Sequence, residues 1–177
     1  MLINKVPITV CRRELKKTAE KQIRDLLRKH PYPTLEVIIP ILEKSGHGEK
    51  ELAAQVSETD RCVIRGIKEI LGLRDNSMKT LAKIMEIYLA FAGAKFQPVE
   101  LTESRFVLTL SDCPMLHVSK EVSLNVKSKF CDLICASAEK VITDTVLGSK
   151  RGTCTWDKAL IKGAGKCTLA FELVSSR

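Results

Sequence analysis

The sequence has no apolar run near the roughly 20 residues that cross a bilayer, so it predicts no membrane-spanning segment. Its first residues combine a short apolar run with a cluster of charge and offer no small-residue cleavage site. We therefore expect no signal peptide and a cytoplasmic location. Internal repeats and low-complexity segments are also absent. The balance of apolar and charged residues is that of a globular protein.

Two further absences bear on function. Aromatic residues make up 5% of the chain and none precedes Tyr32, which argues against base stacking or headgroup anchoring by the first segment. No Cys-x-x-Cys pair is present, so the local signature of a zinc ribbon is missing. Nucleic-acid binding and metal binding therefore have to be argued from other features.

The positive charge is concentrated at the start of the chain. The formal net charge is +8, and residues 1–33 hold nine Lys and Arg against three acidic residues. Apolar residues recur there at helical spacing, which predicts a basic amphipathic helix over 10–29 that docks by its leucine stripe. The length of 177 residues suits one ordinary domain with an extension. We divide the chain into a basic helical extension, 1–48, and an α+β ligand-binding domain, 49–177.

Periodicity predicts a helical first half and a mixed second half. Helical spacing predicts helices over 34–44, over 49–71 with a break near 57–59, and over 76–93. Ser77 is a candidate N-cap, and Gly72 suits the end of the helix before it. Strand patterns then occupy "AKFQPVEL" and "SRFVLTLS", followed by a helix over 127–148 and a terminal hairpin around 163–165. The predicted fold class is α+β, with the helices in 49–93 packed on a small antiparallel ββαββ sheet, 94–177, that carries one long helix.

Residues 49–73 are also compatible with a helix-turn-helix element. On that interpretation the protein is a DNA-binding regulator. The second helix of the pair is mostly apolar, however, and recognition helices present polar side chains to base edges. Its cationic residues, Arg61, Arg65 and Lys68, are no more than a solvated helix face supplies. Nucleic acid is therefore a disfavoured partner.

Seven cysteines is a high number for a cytoplasmic protein of this size. Five of them lie between positions 113 and 167: Cys113, Cys131, Cys135, Cys154 and Cys167. Cys131 and Cys135 share one face of the predicted helix, and Cys167 lies on the apolar face of the last strand. Cys113 follows a strand and precedes a proline. Each of them could equally be a small apolar core residue.

Three or four converging thiolates would suit zinc or iron. A regular hairpin closing at 163–165 raises a difficulty, because it pairs Cys154 near Leu173. That position is about six residues from Cys167, which corresponds to on the order of 20 Å. Both cysteines can then bind one ion only if the chain before Trp156 folds back over the sheet.

Several short motifs carry a resemblance to known proteins. They are "IKEILGL", "MKTLAKIMEIYLAF", the strand leading into "CPM", "FCDL" and "GKCTLAFEL". Over about residues 53–174 the chain resembles a prokaryotic small-molecule-binding superfamily. It includes the 4-vinyl-reductase-type (hydrocarbon-binding) domain and the L-2-amino-thiazoline-4-carboxylate hydrolase-like proteins. The family's glycine-acid turn before the last cysteine is replaced here by Gly-Ala-Gly-Lys at 163–166.

The resemblance implies an α+β protein, often dimeric, with a pocket between helices and sheet. It implies a cysteine-lined metal site formed by Cys113, Cys131, Cys154 and Cys167, for which Cys135 and His117 are alternates. Our candidates for the lining of an apolar ligand pocket are Met85, Tyr88, Phe91 and Trp156, each of which could equally be a core residue.

We therefore expect a small-molecule or metal-binding module, sensory or regulatory, that forms a homodimer and takes a small apolar ligand. The resemblance also raises an enzymatic alternative, a hydrolase of small thiazoline or amide substrates. Its nucleophile would be Cys113 or Cys131, with Asp132 or His117 assisting, since a thiolate needs an activating partner.

Overall fold

Helices lie mainly in the first half of the chain and the strands in the second, as the periodicity predicts. A computed structural model describes residues 17–30, 33, 35–44, 48–113, 122–148, 152–157 and 160–174. The helices are α1 (Lys17–Lys29), α2 (Leu35–Glu43), α3 (Glu49–Leu71), α4 (Met78–Phe91), α5 (Leu124–Phe130) and α6 (Ala136–Leu147). The strands are β1 (Lys95–Leu101), β2 (Arg105–Asp112), β3 (Gly152–Trp156) and β4 (Cys167–Leu173). A π-helical turn, Cys131–Cys135, joins α5 to α6, and a 3-10 turn, Leu160–Lys162, lies between β3 and β4.

The helix α3 runs for 23 residues without interruption, so the predicted break near 57–59 is wrong. Its apolar residues recur along one face that is buried against the rest of the fold: Leu52, Val56, Val63, Ile64 and Ile67. Packing of this face outweighs the weak helix propensity of Ser57 and Thr59. The helix-turn-helix interpretation is wrong for the same reason, because the segment contains no turn.

The boundaries between α3 and α4 follow the predicted capping signals. Gly72 ends α3 in the left-handed region, with φ of 65°, where its N–H bonds back to Glu69. Ser77 accepts a hydrogen bond from the Thr80 N–H at 3.1 Å, which caps α4 as predicted. One face of α4 is then buried in the main core, including Leu81, Ile84 and Met85.

The four strands form one antiparallel sheet in the order β1-β2-β4-β3. The central pair places Phe106 opposite Phe171 and Leu110 opposite Cys167. The two phenylalanine rings stack with centroids 5.8 Å apart, and both are fully buried. Because alternate side chains of a strand share a face, this face of the sheet is the one that packs on α4 and α6. The predicted α+β class is confirmed.

The register of the last two strands differs from the predicted hairpin. Cys154 lies opposite Phe171, two residues closer to Cys167 than the expected pairing with Leu173. The connection between the strands spans residues 157–166 and contains the 3-10 turn, in which Leu160 and Ile161 are buried. This apolar turn contains residues that a tight hairpin would have placed in strands. The residues of β3 therefore pair with residues of β4 that lie two positions nearer to Cys167.

The long helix predicted over 127–148 is confirmed as α5, the π-helical turn and α6, beginning slightly earlier at Leu124. It packs along the core face of the sheet. It comes close to β3 at Gly152, where an added Cβ atom would lie 2.7 Å from methyl carbons of both Leu147 and Thr143. A side chain at position 152 would therefore force these two side chains of α6 to shift.

The N-terminal helices pack outside this layer. Leu26 of α1 lies directly over Gly66 of α3, where a Cβ atom would be 2.5 Å from a leucine methyl carbon. The α2 helix continues through Pro40 and forms a second apolar cluster with Val126 of α5. The first part of the predicted helix over 10–29 lies outside the described residues. No helix in the described parts of the chain is both long enough and apolar enough to cross a membrane.

We predict that Gly152→Val destabilises the protein by about 1 to 3 kcal/mol, the range for forcing a larger side chain into a packed contact. Valine favours the strand conformation, so a loss reports the clash with Leu147 and Thr143 rather than backbone preference. Urea denaturation measures the free energy of unfolding. Thr153→Val, at an exposed neighbouring position of β3, serves as the control and should change stability by less than about 0.5 kcal/mol. Equal stability of the two variants would contradict the close packing of α6 on β3.

Candidate functional site

A π-helical turn presents two cysteines side by side. Within Cys131–Cys135 the backbone hydrogen bonding joins residues five apart instead of four. The Ala136 N–H donates to the Cys131 carbonyl in this way. Such turns are rare and are found frequently at functional sites. The Cys131 and Cys135 thiols are hydrogen-bonded to each other. The predicted sharing of one helical face by these two cysteines is confirmed, and Ala138 and Ile142 of the same face are buried as well.

An acidic residue follows the two cysteines in the column of residues spaced four apart on this face of the helix. Glu139 lies four positions after Cys135, and its side chain is 8% exposed. The Cys154 thiol of β3 faces it, with Sγ 3.6 Å from Oε2 of Glu139. The column Cys131, Cys135 and Glu139 therefore faces the sheet rather than solvent.

The distance from Cys131 to Glu139 along the helix is similar to the distance from Cys167 to Phe171 along β4. From Cys131 to Glu139 the helix rises by about 12 Å. From Cys167 to Phe171, which pairs with Cys154, the strand rises by about 13 Å. Cys131 is within electrostatic range of Cys167, and Glu139 contacts Cys154 at the other end. The two ends of the column thus meet cysteines of the sheet.

Cys113 joins this group from the end of β2. It is half-buried, packs against the main core and influences Cys135 electrostatically. We use the name thiol layer for the cysteines that helix and sheet hold together in this way: Cys113, Cys131, Cys135, Cys154 and Cys167. The sequence-based expectation that Cys167 points into the core is confirmed, since it is 2% exposed.

The pKa of Cys135 lies well above its ordinary value. The hydrogen bond with Cys131 is the largest cause, burial is the second, and the negative charges of Cys131, Glu139 and Cys113 add to both. Since like charges in a low-dielectric region repel strongly, these groups cannot all ionise at once. The thiol of Cys135 therefore stays protonated at neutral pH.

The Cys167 sulfur has a specific donor. The Leu160 N–H of the 3-10 turn donates to it at 3.0 Å. Burial raises the pKa of Cys167, whereas this N–H and the nearby Trp156 indole lower it. Backbone N–H groups aimed at a sulfur stabilise a thiolate, so Cys167 has support for a negative charge that burial alone would oppose.

At the far end, Cys154 and Glu139 form a buried pair of two acids. Burial raises the pKa of Glu139 to about 8, while the thiol of Cys154 acts in the opposite direction. Burial and the neighbouring Glu139 both raise the pKa of Cys154. Both groups are therefore neutral at neutral pH. Sequence reasoning missed Glu139, although an acid four residues after Cys135 on the apolar face was a signal for it.

The structure separates two members of the predicted metal-binding set. Cys154 pairs with Phe171, which is four residues from Cys167, or about 13 Å along β4. Two sulfurs bound to one zinc ion lie at most about 4.6 Å apart, since each Zn–S bond is about 2.3 Å. Cys154 and Cys167 therefore do not meet at one ion, even though their register is closer than the predicted hairpin.

The other four cysteines of the thiol layer interact with one another, but their side chains are not arranged as a complete metal site. Within the described ranges, no three His, Cys, Asp or Glu side chains are arranged to hold a metal ion. Cys113, Cys131, Cys135 and Cys167 are linked by the hydrogen bond and the electrostatic interactions given above. The alternate ligand His117 lies outside the described residues.

The four predicted pocket residues are part of the main core or pack against it. Met85 is fully buried, and the Tyr88 hydroxyl donates to Asp60 at 3.0 Å. Phe91 carries the Arg24 guanidinium 5.4 Å above its ring. Trp156 lies on the core face opposite Leu169. These four residues pack inside the fold, and that they line a ligand pocket stays a prediction.

No protein-family model, curated protein or solved structure matches this chain. The resemblance to the hydrocarbon-binding and thiazoline-hydrolase-like superfamily therefore stays a prediction. The function of the thiol layer has to be argued from its own chemistry.

That chemistry gives three of its thiols little nucleophilic character. The pKa values of Cys135, Cys154 and Cys167 are all raised, whereas a nucleophile needs a lowered pKa or an adjacent base. Asp132, the predicted assistant, is exposed on the π-helical turn. The hydrolase alternative, which uses Cys113 or Cys131, stays a prediction that thiol reactivity tests.

We predict that iodoacetamide at neutral pH alkylates Cys62 before Cys135 or Cys154. All three thiols are partly exposed, but their surroundings raise the pKa values of Cys135 and Cys154, so these two hold their protons at neutral pH. Mass spectrometry of the native protein at timed intervals gives the rate for each cysteine, and denatured protein gives the reference rates. Fastest reaction at Cys113 or Cys131 would instead support the hydrolase alternative.

We predict that Glu139 makes the protein less stable as pH rises from about 5 to 8. The carboxyl keeps its proton to about pH 8 in the folded state but loses it near its ordinary value when unfolded, so folding binds a proton in this window. Glu139→Gln removes this proton uptake. Relative to the parent protein, the variant should therefore gain as much as a few kcal/mol of unfolding free energy between pH 5 and 8.

Urea denaturation at several pH values measures this difference. Lys140→Gln, at the exposed next position of α6, is the control for a surface change. Parallel pH profiles of the parent and the Glu139→Gln variant would show that the carboxyl is not neutral in the folded protein.

Proposed function

We propose that the protein is a binding module that captures a thiophilic metal ion, zinc or iron, in the thiol layer. The observation that carries this proposal is the convergence of Cys113, Cys131 and Cys135 from a strand end and a π-helical turn, with Cys167 of β4 beside them. Sulfur donors grouped in this way suit soft and borderline metal ions. The positive charge of the ion would stabilise the thiolates that form when these cysteines lose their protons.

The electrostatics of the layer fit this role. Without a cation the thiols repel each other's charge, and the pKa values of Cys135 and Cys167 are raised. A divalent cation reverses this situation, because each thiol that loses its proton becomes a ligand. The Leu160 N–H already donates to the Cys167 sulfur and would orient it as a ligand. Metal binding is therefore expected to release protons and to strengthen as pH rises.

The ligands proposed are Cys131 and Cys135 of the turn, with Cys113 and Cys167 completing the set. Cys135, an alternate in the sequence-based set, replaces Cys154. Cys154 is engaged with Glu139 and lies too far along β4 from Cys167 to share an ion with it. The proposal requires these four side chains to rotate about their Cα–Cβ bonds so that the sulfurs reach one ion.

A sensory or regulatory role follows from where the ion would sit. The ligands belong to the π-helical turn, to β4 and to the residue after β2, so the ion would link helix and sheet in addition to their apolar packing and the Cys154–Glu139 contact. Binding energy at such a place stabilises the folded arrangement in proportion to metal concentration. Metal supply would thereby change the stability of the helix on the sheet.

We predict that protein purified under reducing conditions without added metal contains zinc or iron, measured by inductively coupled plasma mass spectrometry. After chelation, Co²⁺ should restore a thiolate-to-cobalt absorption band. Cys131→Ser and Cys135→Ser should each weaken Co²⁺ binding by more than about 100-fold, since even partners outside the ligand shell contribute 10- to 100-fold. Cys62→Ser, on α3, is the matched control and should bind as the parent does.

Cys154→Ser separates two versions of the site, because it should leave Co²⁺ affinity within a few fold of the parent. Circular dichroism of every variant checks that the fold is kept. Equal Co²⁺ affinity for the Cys62→Ser, Cys131→Ser and Cys135→Ser variants would overturn the proposal. So would metal-free parent protein that shows no cobalt–thiolate band at any pH at which it stays folded.

A further inference from the structure

A cleft of about 570 Å³ opens at one end of the sheet, where α4 runs into β1. Residues of α4 and the turn after it form one side, and the neighbouring ends of β1, β2 and the loop before β4 form the other. Its lining is Ala90, Gly93, Ala94, Lys95, Phe96, Gln97, Thr109, Ser111, Gly165 and Lys166. Volumes of this size are typical of small-molecule sites.

The polar part of this lining is two ammonium groups, two hydroxyls and the Gln97 amide, so it carries positive charge and offers several hydrogen-bond donors. Lys95 and Lys166 contribute two ammonium groups, and Thr109 and Ser111 contribute hydroxyls. One acidic neighbour, Asp112, pairs with Lys95 at 3.3 Å and neutralises part of this charge. Two cations against one anion leave the cleft with a surplus of positive charge, which favours an anionic ligand.

The remaining wall is apolar. Ala90 and Ala94 supply this surface beside the ammonium groups. An inorganic ion would leave this wall in contact with water, whereas an organic anion would cover it. The combination therefore selects a ligand with an oxyanion at one end and a compact apolar body at the other.

We propose that this cleft binds a small organic oxyanion, such as a phosphate monoester or carboxylate of an aromatic or aliphatic molecule. The ammonium groups and hydroxyls hold the oxyanion, and Ala90 and Ala94 contact the body of the ligand. The ligand class differs from the apolar molecule expected from sequence, because the charged lysines line this cleft while Met85 and Tyr88 pack within the fold.

The cleft is separate from the thiol layer. Thr109 and Ser111 flank Leu110, which pairs with Cys167 on the core face, so alternation along β2 directs the two hydroxyls to the opposite face. Lys166 likewise precedes the core-facing Cys167. Binding in the cleft can therefore succeed or fail independently of metal binding.

Blocking the cleft gives the sharpest test. At Gly165 an added Cβ atom would meet no atom within 4 Å and the backbone is outside the left-handed region, so Gly165→Phe adds a ring at the cleft lining with no clash at its Cβ atom. Phenyl phosphate, titrated into the purified full chain by isothermal titration calorimetry, should bind the parent and lose at least tenfold in affinity for this variant. Ala164→Phe adds the same ring next to the cleft lining and should bind as the parent does.

Charge variants test the oxyanion contacts. Lys95→Ala and Lys166→Ala should each weaken phenyl phosphate binding by about tenfold, the effect of losing one charge-assisted hydrogen bond. Lys83→Ala, an exposed lysine of α4 away from the cleft, is the control. Asp112→Asn should strengthen binding, because it removes the anion that competes for Lys95. Added salt should weaken binding to the parent.

Three further ligands define the class. Benzoate tests the carboxylate, inorganic phosphate tests the anion without a body, and phenol tests the body without an anion. The proposal expects phenyl phosphate or benzoate to bind more tightly than both inorganic phosphate and phenol. Absence of binding for all four probes, or equal affinity of phenyl phosphate for the parent, Gly165→Phe and Lys166→Ala proteins, would overturn it.

Discussion

The fit of one helix over two strands is the constraint on which the rest of the structure depends. The α5–α6 helix lies so close to β3 that Gly152 has no room for a Cβ atom. Eight residues of this helix are about as long as four residues of β4. Cys131 therefore lies near Cys167 at one end, and Glu139 contacts Cys154 at the other. A side chain at position 152 would have to displace the Leu147 and Thr143 side chains of this helix.

That same closeness determines the electrostatics. Water is excluded from the layer between helix and sheet, so an ionised group there loses its hydration and meets a low dielectric. Glu139 responds by keeping its proton to about pH 8, and the thiols respond with raised pKa values. Neutral acids packed among Ile142 and Leu169 behave as ordinary core residues. On the proposed function, a cation would instead stabilise the deprotonated thiols through their attraction to its own charge.

Much of this fold could be predicted from the sequence, because local signals and packing agree. The α+β class, the capping of α4 by Ser77 and the inward direction of Cys167 all follow from periodicity and capping. The break in α3 was wrong because burial of a long apolar face decided over the weak preference of Ser57 and Thr59. The β3–β4 register was wrong because the buried Leu160–Lys162 turn uses residues that a tight hairpin would leave to the strands. The unbroken α3 helix and the β3–β4 register both depend on packing between residues distant in sequence, which no local sequence pattern reveals.

The site divides in the same way. Clustering of cysteines is visible in the sequence, and their shared helical face follows from the spacing of Cys131 and Cys135. The partner of Cys154 and the π-helical turn do not follow from spacing, since both depend on how the helix settles on the sheet. The cleft is harder still, because its lining comes from α4, the ends of two strands and a loop. Alternation along β2 nevertheless explains how one strand serves both regions. Its Leu110 pairs with Cys167 on the core face, whereas Thr109 and Ser111 on either side place hydroxyls on the opposite face. The sheet thereby separates the proposed cation-binding thiols from the proposed anion-binding groups.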